Sequence, residues 1–222
     1  MHKMDSLRMV TRYLILVGVV SPLLYFGASF IGGAANQGYS HIKDSVSDLL
    51  IKGSPKLPTL DTMMIISFVF IALSCAAMLI THAPSLKGAT KAGIIVVGLS
   101  GVFSLFSSII FRLDPHSSGM TVNTSMHITF VALAAIATIV GGMLIGFTMF
   151  SVGGWSGFRI YTVITFAFML VGAAISPVIV ANNVPVVGLV ERISIIAYNQ
   201  WFVVVAIKFF ILKDGWVYGL AP

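Results

Sequence analysis

Charged residues are scarce in this sequence: Asp, Glu, Lys and Arg together make up 9% of its 222 positions, against 58% hydrophobic residues. With a mean hydropathy of +1.02, such a chain cannot clothe a water-soluble domain in polar groups, so lipid must be the solvent for much of it. The single cysteine, Cys75, excludes an intrachain disulfide and reads as a small buried hydrophobe in "SFVFIALSCAAMLI". Alternating ten-residue strands are missing, which excludes a membrane barrel. No linker, low-complexity tract or internal repeat divides the chain, which reads as one domain over 1–222. No H-E-x-x-H and no G-x-S-x-G is present, so no ready-made zinc-protease or nucleophile-elbow signature exists.

What the chain does have is long apolar runs. A helix needs about 20 apolar residues to cross the hydrocarbon core. Six segments qualify, at roughly 12–33, 60–82, 92–111, 125–150, 159–181 and 188–212. They must be helices, because lipid cannot satisfy open backbone groups. The expected fold is all-α, a polytopic bundle of six transmembrane helices with an amphipathic segment in the first outer loop. Turn chemistry separates the spans at "HAPSLKGATK" (82–91), "RLDPHSSG" (112–119), "SVGGWSG" (151–157) and "NNVPVVG" (182–188). The first run, from Tyr13 to Ile31, exceeds the usual signal-peptide core of about 7–15 residues, which favours an uncleaved first helix.

The net charge of +6 would suit nucleic acid on a soluble protein, but here the basic residues flank apolar spans. One side holds Lys3, Arg8, Arg12, Lys87, Lys91, Arg159, Lys208 and Lys213 against Asp5 and Asp214, a balance of +6. The other holds Lys43, Lys52, Lys56, Arg112 and Arg192 against Asp44, Asp48, Asp61, Asp114 and Glu191, a balance of zero. The positive-inside rule then predicts a cell-membrane protein with both termini cytoplasmic and no nucleic-acid partner. Within the spans, Gly142-x-x-x-Gly146 and the small residues Ser100, Gly101, Ser104 and Ser108 predict close helix packing. Pro22 and Pro177 predict kinks, and Asn199 and Gln200 predict interhelical hydrogen bonds.

The chemistry gathers on the charge-neutral side. "YSHIKDSVSDLL" (39–50) carries His41, Asp44, Ser45, Ser47 and Asp48; the next loop carries Arg112, Asp114 and His116, with His127 just inside the fourth span. Glu191 and Arg192 open the sixth span. If 41–50 is helical, His41, Asp44 and Asp48 share one face. Three chemistries remain open. His41, Asp48, Asp114, His116 and His127 are N/O donors of the kind a zinc site uses, without its close spacing. A histidine could act as base toward Ser45 or Ser47 as nucleophile. Alternatively, these groups are solvated, cap helices or pair with one another. His127 stands apart, because an ionisable group inside an apolar helix needs a partner. No particular cofactor is implied.

Along nearly its whole length the sequence resembles a prokaryotic six-span membrane family defined as a domain of unknown function (number 998). The resemblance is carried by "YSHIKDSVSDLL" with "GSP" following, "FRLDP", the histidine of "TSMHITF" and "GLVERISIIAYNQW". It implies Ser45, Ser47, Asp48, Asp114, His127, Arg192 and Trp201 as site residues. Glu191 stands where the family often has glutamine, and "FRLDP" replaces a shorter form. The loop between the first two spans is also distantly similar to the Frag1/DRAM/Sfk1 group, which implies lipid as a partner. The combined expectation is a polar pocket at the outer membrane face that binds or modifies a lipid headgroup. In it His127, Asp48 and Asp114 are the catalytic candidates, with Ser45, Ser47, Arg192, His116 and Trp201 binding substrate. The rival is a non-catalytic assembly or stress factor that docks a partner membrane protein or a second copy of itself. A transporter fits less well, since the mid-membrane lacks broken, charged helices.

Overall fold

The computed structural model of the chain describes residues 9–149, 152 and 155–212. Six helices among them are long and apolar enough to cross a membrane: Met9–Ala35, Leu57–Ser85, Gly88–Ile110, Val122–Met149, Phe158–Ala181 and Val187–Ile211. The protein is thus multi-pass and helical, with no strand among the described residues. Each expected span lies inside one of these helices or overruns it by a single residue. Lys3, Asp5, Arg8, Lys213 and Asp214 of the charge balance, and residues 151, 153 and 154 of the third turn, lie outside the described residues.

The regular portions are α1 (Val17–Ala35), α2 (Leu57–His82), α3 (Gly88–Leu105), α4 (Val122–Met149), α5 (Phe158–Ala181) and α6 (Val187–Ile211). Pro58 sits in the first turn of α2, where its missing N–H has no intrahelical role. Helix α6 has the lowest span hydropathy, 1.6, and it carries Glu191, Arg192, Asn199 and Gln200. α1 and α5 run through Pro22 and Pro177 without ending.

Close approach of backbones sets the packing. A Cβ on Gly93 of α3 or Gly141 of α4 would lie 2.7–2.8 Å from the other's carbonyl oxygen. On the neighbouring face of α4, Gly142 and, one turn on, Gly146 seat the Phe166 ring and Thr162 of α5, so the expected small-residue contact is made there. At the end of the bundle near 83–87 and 155, Trp155, Phe158, Phe166, Trp201, Phe202 and Phe209 are all buried together. At the opposite, polar end a smaller cluster joins Ala28, Val46, Leu49, Leu50, Leu60 and Met64.

The helix expected over 41–50 does not form. Residues 41–46 pass through turns, and only Ser47–Leu50 winds into one 3-10 turn. Short polar side chains divert the backbone locally. Asp44 Oδ2 accepts from Ser40 N–H at 2.6 Å. Asp48 Oδ2 accepts from Ser45 N–H at 2.8 Å, while Ser45 Oγ accepts from Asp48 N–H at 3.2 Å, a reciprocal cap of the 3-10 turn. His41, Asp44 and Asp48 therefore do not share a helical face. Val46, Leu49 and Leu50 turn inward against α1 and α2 instead.

Candidate functional site

The first loop is clamped to the start of α6. Arg192 Nη1 donates to the carbonyls of His41 (2.7 Å), Asp44 (3.0 Å) and Gly188 (3.0 Å), and Nη2 donates to the Tyr39 hydroxyl at 2.5 Å. The Tyr39 hydroxyl in turn donates to the Ser45 carbonyl at 2.7 Å. Glu191 Oε2 accepts from Val46 N–H at 2.8 Å, and Leu189 N–H donates to the Ile42 carbonyl at 3.0 Å. Gly188 lies so close that any Cβ would overlap the Asp44 carbonyl oxygen. Leu189, Glu191 and Arg192 of "GLVER" thus grip "YSHIKDSV" by charge-assisted and backbone bonds, about 150 positions apart in sequence. His41 lies beneath this clamp beside Phe30 and Tyr39. Its burial, and then the charge of Arg192, press its basicity below the usual histidine value.

His127 is oriented by a defect in the third span. At Phe106–Ile110 the α3 helix widens into a π turn. Phe111 N–H bonds to the Phe106 carbonyl at 2.9 Å rather than to that of Ser107 four residues back. The Ser107 carbonyl is left to accept from His127 Nδ1 at 3.0 Å, with the Phe111 carbonyl also 3.1 Å from it. Carbonyls only accept, so Nδ1 carries a proton, and in the neutral ring Nε2 keeps its lone pair. That lone pair faces the Ser47 hydroxyl at 3.4 Å. The ring itself is buried, 5% exposed. A hydroxyl donor and an imidazole acceptor, the latter fixed by backbone, make a proton-transfer pair in a low-polarity setting.

Both groups open on a cavity of about 300 Å³ within the bundle. Its walls are mainly apolar, from Met64, Phe68, Ile71, Val131, Ile139 and Met169 among others. Ser47, His127 and Glu191 lie on its lining, as does a row of hydroxyls from α3: Ser100, Ser104, Ser107 and Ser108. Three of those serines donate back to their own helix, Ser100 to Val97, Ser104 to Ser100 and Ser107 to Ser104, leaving oxygen lone pairs for the cavity. The cavity lies beyond the Gly142–Phe166 contact, between Val131, Ala134 and Ala135 of α4 and Gly172, Ala173 and Ser176 of α5. Val131 is both a wall residue and 44% exposed, and Ala173 is likewise an exposed wall residue, so the cavity reaches the lipid-facing surface there.

The structure brings Ser47 to His127, and Asp48 to His116, whose Nε2 is 3.0 Å from Asp48 Oδ1. It does not bring Asp48 or Asp114 to His127; backbone carbonyls orient that ring in their place. Asp114 instead pairs with Lys52 Nζ at 2.5 Å and accepts from Thr121 Oγ1 at 2.6 Å. These bonds, Lys52 first, hold its carboxyl below the ordinary range. Thr121 also caps α4 by accepting from Thr124 N–H at 3.1 Å, so Asp114 fastens the hairpin between the third and fourth spans. Ser45 serves the 3-10 cap, and Arg192, bonded to the loop through both terminal nitrogens, does not line the cavity. Trp201 is also off the cavity, donating from Nε1 to Thr162 Oγ1 at 3.0 Å in the aromatic core.

Among the described residues no three His, Cys, Asp or Glu side chains come together as a metal site, and of the five donors considered only Asp48 and His116 meet. Arg112 pairs with Asp61 at 2.5 Å. Gln200 bonds across to α5, accepting from the Tyr161 hydroxyl and donating to Thr165 Oγ1 at 3.3 Å, whereas Asn199 Nδ2 bonds back to the Ile195 carbonyl at 2.9 Å and lines the cavity. Tyr39 and Gly188 had no expected role, and Ser100, Ser104 and Ser108, expected only to let helices pack closely, line the cavity together with Ser107. The row had a readable signal: positions 100, 104, 107 and 108 recur at helical spacing. Packing falls instead to Gly101, where a Cβ would lie 2.7 Å from the Phe68 carbonyl oxygen.

A family model described as a protein of unknown function (DUF998) matches residues 19–208, which include both the first-loop and the α6 partners of the clamp. No curated protein and no solved structure matches the chain.

Proposed function

The chain belongs to the DUF998 family, whose description assigns no chemistry, and from the geometry of the cavity we propose that it binds the headgroup end of a membrane amphiphile. One observation carries this reading: a largely apolar cavity that meets the lipid-facing surface between α4 and α5 and also presents Ser47, His127 and Glu191. At about 300 Å³ it stands at the lower limit of ligand pockets, about 300–1,000 Å³. It therefore holds one chain with its polar junction rather than a whole two-chain lipid. Entry is sideways, with the polar junction against Ser47 and His127 and the chain along Met169 and Ile139. Arg192 acts at one remove, holding the loop that presents Ser47, instead of contacting phosphate. The charge balance puts the basic end in the cytoplasm and this pocket toward the outer leaflet of the cell membrane.

The test uses a phospholipid with a diazirine in its acyl chain, photolysed on the protein in nanodiscs, with crosslinked peptides mapped by mass spectrometry. Crosslinks are expected on 100–108 and 134–139. Ala134→Phe and Ala173→Phe, which fill the cavity, should lower them several-fold, and Trp201→Phe, off the cavity, should not. Undiminished crosslinking to those peptides in both cavity-filling variants would overturn the reading.

A further inference from the structure

We propose that Ser47 is a nucleophile activated by His127, and that the bound amphiphile is a carboxylic ester whose acyl group is transferred to Ser47. This deepens the binding reading above and rests on it. The geometry supplies the parts that such chemistry requires. Nδ1 of His127 is held by the Ser107 and Phe111 carbonyls at 3.0 and 3.1 Å, which fixes the tautomer and aims the Nε2 lone pair at Ser47 Oγ, 3.4 Å away. Nucleophile–base distances of this looser kind are common before substrate binds. Ser47 is the first residue of the 3-10 turn, and the Ser45–Asp48 cap and the Glu191–Val46 bond fix the backbone on either side of it. Both reacting groups line a cavity that an acyl chain can enter from lipid.

The step balances without a further reagent. His127 Nε2 takes the Ser47 proton as Oγ bonds to the ester carbonyl carbon. The tetrahedral adduct then collapses, the carbon–oxygen bond to the alcohol breaks, and the imidazolium returns the proton to the departing alcohol. Acyl-Ser47 is released when a second hydroxyl compound, water or an acceptor lipid alcohol, attacks with its proton passing to His127 and then to Ser47.

The test is covalent capture by a long-chain alkyl fluorophosphonate, in which Ser47 Oγ displaces fluoride from phosphorus. Intact protein in nanodiscs is treated, and the modified residue is found by peptide mass spectrometry. Wild-type protein should carry the phosphonyl group on Ser47, and Ser47→Ala should not. Loss of a general base costs about 10²–10⁴-fold, so His127→Asn should label at least about 100-fold more slowly. Asparagine keeps an amide N–H for the Ser107 and Phe111 carbonyls while the far side of the ring, Nε2 included, is lost, and unchanged cavity crosslinking of this variant separates chemistry from folding. Ser117→Ala, an exposed loop serine, should label like wild type. Absence of a phosphonyl group on Ser47 in wild type, with diazirine crosslinking intact, overturns the nucleophile and leaves the binding reading standing. Equal labelling of His127→Asn and wild type overturns the role of the base. Loss of the cavity crosslinks from wild type itself overturns both readings.

Discussion

Replacing Gly188 with alanine pushes a methyl group into the backbone of the first loop. The new Cβ would overlap the Asp44 carbonyl oxygen, and it would lie 2.9 Å from the Asp44 carbonyl carbon and 2.8 Å from Arg192 Nη1. The Asp44 atoms are backbone and have no rotamer into which to retreat, so the loop must move off α6. That movement strains three bonds: Leu189 N–H to Ile42, and Arg192 to the carbonyls of His41 and Asp44. Counted at only about 0.5–1.5 kcal/mol each, the ordinary value, although two carry the Arg192 charge, their loss amounts to at least about 2–4 kcal/mol. With a factor of ten for every 1.4 kcal/mol, the detached loop becomes about 30- to 700-fold more populated. Amide hydrogen exchange followed by mass spectrometry in nanodiscs reads this directly, because Val46 N–H is bonded across the clamp to Glu191. Exchange over 42–48 should accelerate by that factor, while peptides around Trp201 and Phe209 keep wild-type protection. A folded Gly188→Ala protein with unchanged exchange over 42–48 would refute the clamp.

Asp114 predicts an acid-side effect. Its folded carboxyl is held down by Lys52 and Thr121, so the pair contributes fully above the unfolded Asp value and is lost as pH falls through the lower folded one. The thermal midpoint of wild type should therefore drop on acidification below about pH 4 more steeply than that of Asp114→Asn, and parallel curves would remove the pair from the ledger of stabilising contacts. For orientation, a reporter fused after Pro222 should read as cytoplasmic; a periplasmic or extracellular signal would reverse the assignment of the pocket to the outer leaflet.

The spans were legible because lipid imposes one demand along twenty residues at a time, and each run of "SFVFIALSCAAMLI" type states it independently of any partner. The same logic exposed His127, an ionisable side chain in an apolar helix. Its partners were not legible. Asp48 and Asp114 were the obvious acids to orient it, but the actual acceptors are the carbonyls of Ser107 and Phe111, which every residue possesses and no sequence pattern marks. Arg192 likewise reads from its chemistry alone as a residue that binds a lipid headgroup. Only the fold shows its Nη1 donating to the carbonyls of His41 and Asp44 and its Nη2 to the Tyr39 hydroxyl, in a loop some 150 positions away. The helix expected over 41–50 lost to Ser40, Asp44, Ser45 and Asp48 bonding their own backbone, a competition that favours turns wherever such residues cluster.

The π turn at Phe106–Ile110 makes the aim of His127 depend on a count of residues rather than on their identity. The freed acceptor is main chain, so many side chains at 106–110 would leave it in place. Each residue of an α-helix, however, advances the chain by about 100°. Adding or removing one residue in this stretch would restore the ordinary ladder, or overshoot it, and swing the following hairpin out of phase with the rest of α3. The segment works as a ruler: tolerant of spelling, intolerant of length. Drift in this part of the protein should therefore show as substitution without insertion or deletion, even where the amino acids themselves look interchangeable.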